Sequence, residues 1–455
     1  MDVVIFSFAG LSIFLLLGKY VRVKVKFFQK FFIPSALIGG FIGLIVMQIL
    51  LLFYSTPLIK EVNDIWKMSP GFLINIVFAT LFLGNRIPSL KTIWNIGGIQ
   101  FLYGQVVAWG QYVVGLGLVL VLLTPFFGVN PMFGALIEIG FEGGPGTAAG
   151  LADTFKILGW EEGLSLALAT ATVGIFASVV IGTVLINIAC RKGQTEILKR
   201  PEEISKDLLM GIPEKEKRTS AGTLTTSLES IEPMAYHTAF IGIAIFIGYI
   251  ILKFLILFEN QFLTPLGLPK IMIGFPLFPL TMIGGIIIQI IMDRYDTKNT
   301  IDHKLMMRIN GLSIDFLVVA AISTISIKAI WTEIIPFTIL MIAGIIWNVF
   351  CVLTIAPRIF PNAKFERSIV EFGMATGVAS TGLLLLKIVD PDAKTPALEA
   401  FGYKQILHEP FMGGGLVTGA AMPLIYNYGP LAIFLFCLSM MVLWAILYRF
   451  LFYKK

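Results

Sequence analysis

The sequence predicts an all-α polytopic membrane protein, with about ten transmembrane helices in two inverted five-helix repeats, each carrying a glycine-rich re-entrant hairpin. Three observations predict it. Hydrophobic residues make up 57% of 455 and charged residues 14%, whereas soluble domains hold about 45–50% and about 25%. Apolar runs recur along the chain, separated by short basic loops. Three stretches of the first half are echoed in the same order in the second, and one of them is a glycine-rich break in otherwise oily sequence.

About 20 apolar residues suffice to cross about 30 Å of hydrocarbon. On that measure the spans are 3–18, 33–54, 70–84, 96–123, 163–190, 236–258, 272–292, 311–327, 336–357 and 412–436. The last run continues to 452 through Asn427-Tyr428-Gly429-Pro430, so it reads either as one broken helix or as two spans. Lys19, Arg22, Lys24 and Lys26 follow the first run. That order is the reverse of a secretory signal, so the run reads as a first transmembrane helix. The segment 191–235, with Lys199, Arg200 and Lys206 among its many cations, reads as a flexible linker. The positive-inside rule then puts the linker in the cytoplasm and the N-terminus outside. The expected organisation is an N-terminal repeat, 1–190, with a re-entrant loop at about 133–158, the linker 191–235, and a C-terminal repeat, 236–455, with a re-entrant loop at about 369–389. The expected location is the cell inner membrane, multi-pass.

The echoes justify the inversion, because an odd number of crossings per half turns similar halves upside down. Ile33-Pro34 with Gly39-Gly40 matches Phe278-Pro279 with Gly284-Gly285. Ser89-Leu90-Lys91-Thr92-Ile93-Trp94 matches Ser326-Ile327-Lys328-Ala329-Ile330-Trp331. The run ending at Thr147 matches the run ending at Ser380, which pairs Glu138 with Glu371 and Gly144 with Gly377.

Broken backbone at membrane depth survives only where protein or a water-filled cavity surrounds it, and matched breaks in two halves are the best sequence pointer to a transporter's binding site. Glycine lets backbone amides approach a ligand closely. The candidate substrate-binding residues are therefore Gly143, Gly144, Gly146, Thr147, Gly377, Ser380 and Thr381. Ionisable side chains inside the apolar zone are costly and mark function. The candidate ion-binding residues are Glu138, Glu142, Glu371, Asn75 and Asp315, since hard cations prefer oxygen donors. Lys91 and Lys328, near span ends, are weak candidates for holding an anion, because such lysines snorkel to the headgroups. Trp66, Trp94, Trp160 and Trp331 read as an interfacial belt. Asp390–Glu409 reads as a long loop after the second break, in which His408 is either a group that orients a polar pocket or a solvated ring.

Other chemistry is thinly represented. The net charge of +6 sits in loops between spans, so nucleic acid is not implied. Cys190, Cys351 and Cys437 are dispersed packing residues. No Walker motif is present, and His237, His303 and His408 lack zinc spacing. The choice left open is between a transporter driven by sodium or protons, an intramembrane enzyme using Glu138, Glu142 and Glu371 as acid and base, and a channel. Inversion favours the transporter.

These residues resemble the glutamate:sodium symporter family. Gly143–Gly150, GGPGTAAG, is similar to that family's Gly-Gly-His-Gly-Thr-Gly loop, with Pro145 standing where the histidine would be. EFGMATGVAST at Glu371–Thr381 is similar to its second glycine-rich loop, and TGAAMPLIYN at Thr418–Asn427 and Ile33–Gly40 fit as well. The resemblance implies sodium-coupled uptake of glutamate or a related small organic anion, with Na+ as coupling ion, no organic cofactor, and a homodimer in the bilayer. A di- or tricarboxylate is the alternative cargo.

Overall fold

The structure, a computed structural model, describes residues 2–30, 32–54, 56–197, 212, 214–218, 220–227 and 229–452. The predicted linker cations Lys199, Arg200 and Lys206 lie outside the described residues. Among the described residues every regular element is helical, and nine helices are long and apolar enough to cross a membrane. The protein is therefore the all-α polytopic membrane protein that composition predicts.

Several boundaries differ from the sequence reading, each for a local reason. The span read as starting at residue 70 belongs to a helix, Pro57–Thr80, that begins immediately after Thr56, whose side chain caps it by accepting from the Ile59 amide. Lys60, Glu61, Asp64 and Lys67 break the apolar run there, although Pro57 suits a first helical turn. The span read as 272–292 starts later, as Phe278–Tyr295, after the short 3-10 turn Met272–Gly274. The C-terminal run is one helix, Leu416–Leu451, broken at Gly429 (φ 81, ψ 160) just before Pro430. The loop read at 390–409 is mostly helix, Ala397–His408. Its buried residues Ala397, Ala400, Phe401, Lys404 and His408 fall on one helical face, and the charges on that face disguised it.

The chain gathers into two compact units, and each unit draws on both halves of the sequence. The first comprises 1–87, 149–157 and 206–325. Within it, the two diglycines make equivalent contacts. A Cβ on Gly39 would lie 2.4 Å from Phe14 O of the preceding helix, Asp2–Lys24, and one on Gly40 would lie 2.7 Å from Ile322 in His303–Ser323. A Cβ on Gly284 would lie 2.1 Å from Ala244 O of the preceding helix, Pro233–Phe258, and one on Gly285 would lie 2.5 Å from Ala79 O in Pro57–Thr80. Only the absence of a side chain allows backbones this close. Trp66 is not in an interfacial belt, since it is buried in this unit and donates to Ser7 O at 3.1 Å.

The second unit comprises 88–148, 158–205 and 326–455. The echo at Ser89 and Ser326 turns out to be a pair of helix caps. Each serine oxygen accepts an amide at 3.3 Å, from Thr92 and Ala329 respectively. The helix Leu90–Leu118 runs on through a π turn, Val119–Leu123, and Ile334–Phe350 runs on through another, Cys351–Ile355. Pro125 and Pro357 follow these turns. A proline ring clashes with the carbonyl four residues back and brings no N–H, so a widened turn accommodates it. All three cysteines are free and buried.

Candidate functional site

Both breaks reach the second unit. In the first, Pro131–Ala135 and Leu136–Phe141 lead to Glu142 and Gly143, and helix resumes at Gly144 (φ 70). The continuation at 149–157 belongs to the first unit. In the second, Lys364–Val389 loses helical geometry at Gly377 (φ −149, ψ 36) and Val378 (φ 65, ψ 165). Its arms pack through Gly373 and Gly382, where a Cβ on Gly373 would lie 2.4 Å from Gly382 Cα. Val378 is a β-branched residue in a region that almost only glycine enters, a strain of about 1–3 kcal/mol. The two breaks touch each other, since a Cβ on Gly144 would lie 2.2 Å from Val378 Cγ1.

Glu138, fully buried, lies just before the first break. Tyr112 Oη donates to its Oε2 at 2.6 Å, while the Gly413 amide and Thr418 Oγ1 donate to Oε1 at 2.9 and 2.7 Å. Thr418 Oγ1 in turn accepts from the Gly414 amide at 3.1 Å. The carboxylate thus fastens the Gly413–Gly414–Gly415 turn, with Gly413 and Gly414 at positive φ, onto the first break. Glu142 sits one helical turn later, and its Cγ would be 3.5 Å from a Cβ on Gly413, so the glycine turn passes beside both acids.

The helix Ala397–His408 lies against Gly97 and Gly104 of Leu90–Leu118, two positions seven residues apart on one face. From it Lys404 and His408, both fully buried, reach one acid each. Lys404 Nζ is 2.8 Å from Glu371 Oε1, and Gln100 Nε2 donates to Glu371 Oε2 at 3.0 Å. His408 Nε2 bonds Glu142 Oε1. The state of this imidazole follows from its neighbours. The Trp109 indole is a donor only, and it donates to Gln105 Oε1 at 3.0 Å. Gln105 therefore turns its Nε2 to His408 Nδ1, also at 3.0 Å. Nδ1 must accept, the ring proton is on Nε2, and His408 donates to Glu142 as a neutral ring.

Among the predicted site residues, Glu138, Glu142 and Glu371 are buried in this one unit, as are Thr147, which donates to Gly413 O at 3.4 Å, and Thr381. Gly143 and Gly146 are half-buried, Ser380 is exposed, and Gly377 lies against Ser178. Asn75 and Asp315 belong to the other unit, where Asn75 Nδ2 donates to Gly71 O at 2.6 Å and Asp315 lines a cavity with Lys19, Arg22 and Ser35. Lys91 and Lys328 are exposed. Sequence reasoning missed Lys404, Gln100, Gln105, Gln111, Tyr112 and Thr418. The signal for most of them was a run of three glutamines and a tyrosine inside the predicted span 96–123, polar groups that need partners at membrane depth.

The chemistry available is an oxygen-rich, buried enclosure with a deficit of positive charge. Among the described residues Lys404 is the one ammonium in hydrogen-bond reach of Glu138, Glu142 or Glu371, and it pairs with Glu371; a buried charge without a counter-charge is costly. A cation with a preference for oxygen ligands would offset that deficit. Gln111 Nε2 donates to Ala375 O at 2.6 Å beside the second break. Gln111 Oε1 and Thr376 Oγ1 are buried there without a partner.

A family model described as Sodium/glutamate symporter matches residues 4–362, which include the first break and end before the second. The sodium/glutamate symporters of Escherichia coli (strain K12) and Shigella flexneri are each 28% identical to this chain over 244 residues, or 53% of it. The match spans 55% of each of those relatives, about half their length.

Proposed function

Since this chain belongs to the sodium/glutamate symporter family, we propose that it is a secondary transporter that couples sodium to uptake of glutamate or a related small organic anion by alternating access. The observation that carries the reading is the meeting of two broken helices, Gly144 against Val378, beside the buried pair Glu138 and Glu142. Backbone amides freed at the breaks, with the hydroxyls of Thr147, Ser380 and Thr381, take the anion's carboxylates; Gly143, Gly144, Gly146 and Gly377 keep the approach open. Glu138 and Glu142 take the charge of the sodium ion. The second unit, which holds the paired breaks, exposes the bound solutes to alternate faces of the membrane.

The equivalent diglycine contacts, serine caps and π turns support two inverted repeats, each with a re-entrant hairpin. The diglycine helices Ser35–Phe53 and Phe278–Tyr295, both in the first unit, are the scaffold in this reading and a natural contact for a homodimer. Residence in the inner membrane, with the linker in the cytoplasm, follows from the distribution of lysine and arginine. The family is one of transporters, which turns the choice away from an intramembrane enzyme.

Uptake into proteoliposomes tests the reading. With an inward sodium gradient, acidic amino acids are expected to accumulate, and citrate or a neutral amino acid to accumulate far less. Equal accumulation with sodium replaced by choline would contradict it.

A further inference from the structure

Glu138 and Glu371, paired by position in the sequence, are provided for differently. Glu138 accepts from a phenol, a threonine hydroxyl and a backbone amide, all neutral, and its neighbour Glu142 accepts from a neutral imidazole. Glu371 has a fully buried ammonium 2.8 Å away. We infer that Lys404 is a tethered cation, which holds at Glu371 the place that the transported ion takes at Glu138 and Glu142, so that one of the two matched acids is closed to sodium. The inference rests on the sodium-coupled reading above.

The surroundings of Lys404 are built for this pairing. A Cβ on Gly104 would lie 2.6 Å from Lys404 Cε and 2.7 Å from Glu371 Oε1, so glycine is what leaves room for the ion pair. The lysine backbone is held too, since a Cβ on Gly97 would lie 2.8 Å from Lys404 N. Nζ makes a further contact to Met374 Sδ at 3.0 Å and faces the Phe401 ring at 5.7 Å. Arg367, one turn earlier on the same helix, is buried with its guanidinium over the Phe360 ring at 5.6 Å, which leaves Lys404 as the cation hydrogen-bonded to Glu371. Gln100 donates to it and to Arg367 O, and Gln100 Oε1 is buried without a partner. Removing the ammonium would leave Glu371 and Gln100 Oε1 as an oxygen-lined vacancy with a negative charge, which suits a small hard cation. A buried carboxylate left without its partner must find another positive charge or a proton.

Sodium titrations of the purified full chain, with choline chloride holding ionic strength constant, test the inference by thermal stability and by direct counting of bound 22Na+. Lys404→Met is expected to bind one more sodium ion per chain than the wild type, with a steeper sodium dependence of stability. Lys404→Arg is expected to keep the wild-type count. An unchanged count in Lys404→Met would overturn the inference. The double variant Lys404→Met/Glu371→Gln, which removes both charges, decides the matter if the single variant does not fold. The wild-type sodium count in it is expected, and a lower count would overturn the inference by making Glu371 a ligand of the transported ion. A sodium response in Lys404→Met without one in the wild type would support the tethered cation and sink the sodium-coupled reading. Absence of a response in every variant would overturn both.

Discussion

Gly144→Val is expected to abolish sodium-dependent uptake while the protein still reaches the membrane. Two independent penalties fall on this position. Its φ of 70 is one that a β-branched residue rarely adopts, at a cost of about 1–3 kcal/mol. The new side chain would also meet Val378 Cγ1, already 2.2 Å from an ideal Cβ, and such overpacking costs about 1–3 kcal/mol more. The clash drives apart the two breaks whose contact forms the proposed site. Adding Val378→Ala removes the steric penalty and leaves the backbone one, so the double variant is expected to recover part of the activity. Gly128→Ala is the control, because Gly128 has a φ of 67 and nothing within 4 Å of its Cβ position. It is expected to cost a little thermal stability and no uptake. Uptake in Gly144→Val equal to that of Gly128→Ala would show that the contact between the breaks has no functional role.

Glu138→Ala is expected to lower thermal stability and to reduce uptake by about tenfold or more. The change strands the Tyr112 hydroxyl, the Gly413 amide and the Thr418 hydroxyl, all of which now end on one carboxylate. A buried donor left without an acceptor costs about 1–3 kcal/mol, and Thr418 and Gly413 anchor the start of the last helix. Glu138→Gln separates structure from charge. Its carbonyl still accepts, so most of the stability is expected to return, but the side chain is neutral and the sodium response of stability is expected to fall. A full sodium response in Glu138→Gln would remove this residue from the ion pathway.

What was legible in the chain and what was not divide along physical lines. Apolar runs and glycine-rich breaks are local properties, so the spans and the break positions near Gly144 and Gly377 could be read directly. The acids Glu138, Glu142 and Glu371 stood out because charge is rare in such sequence, and the structure buries all three in one unit. Lys404 escaped, and His408 was read as part of a loop, because their helix, Ala397–His408, has a buried face that contains those same polar side chains. Periodicity identifies a buried face by its apolar residues, and here two of its five positions are polar. The interleaving of both halves into each unit was likewise out of reach. It depends on contacts such as Gly40 with Ile322 and Gly110 with Trp347, which join residues hundreds of positions apart and leave no local pattern.

In the proposed mechanism the two breaks together hold the transported anion and its sodium ion. Ser380→Cys tests it most directly, because Ser380 is exposed two residues beyond Val378 while the three native cysteines are buried. The rate at which a small charged thiol reagent labels this variant should fall when sodium and glutamate are present together, and fall much less with either alone. A labelling rate that is the same in all four conditions would contradict the account.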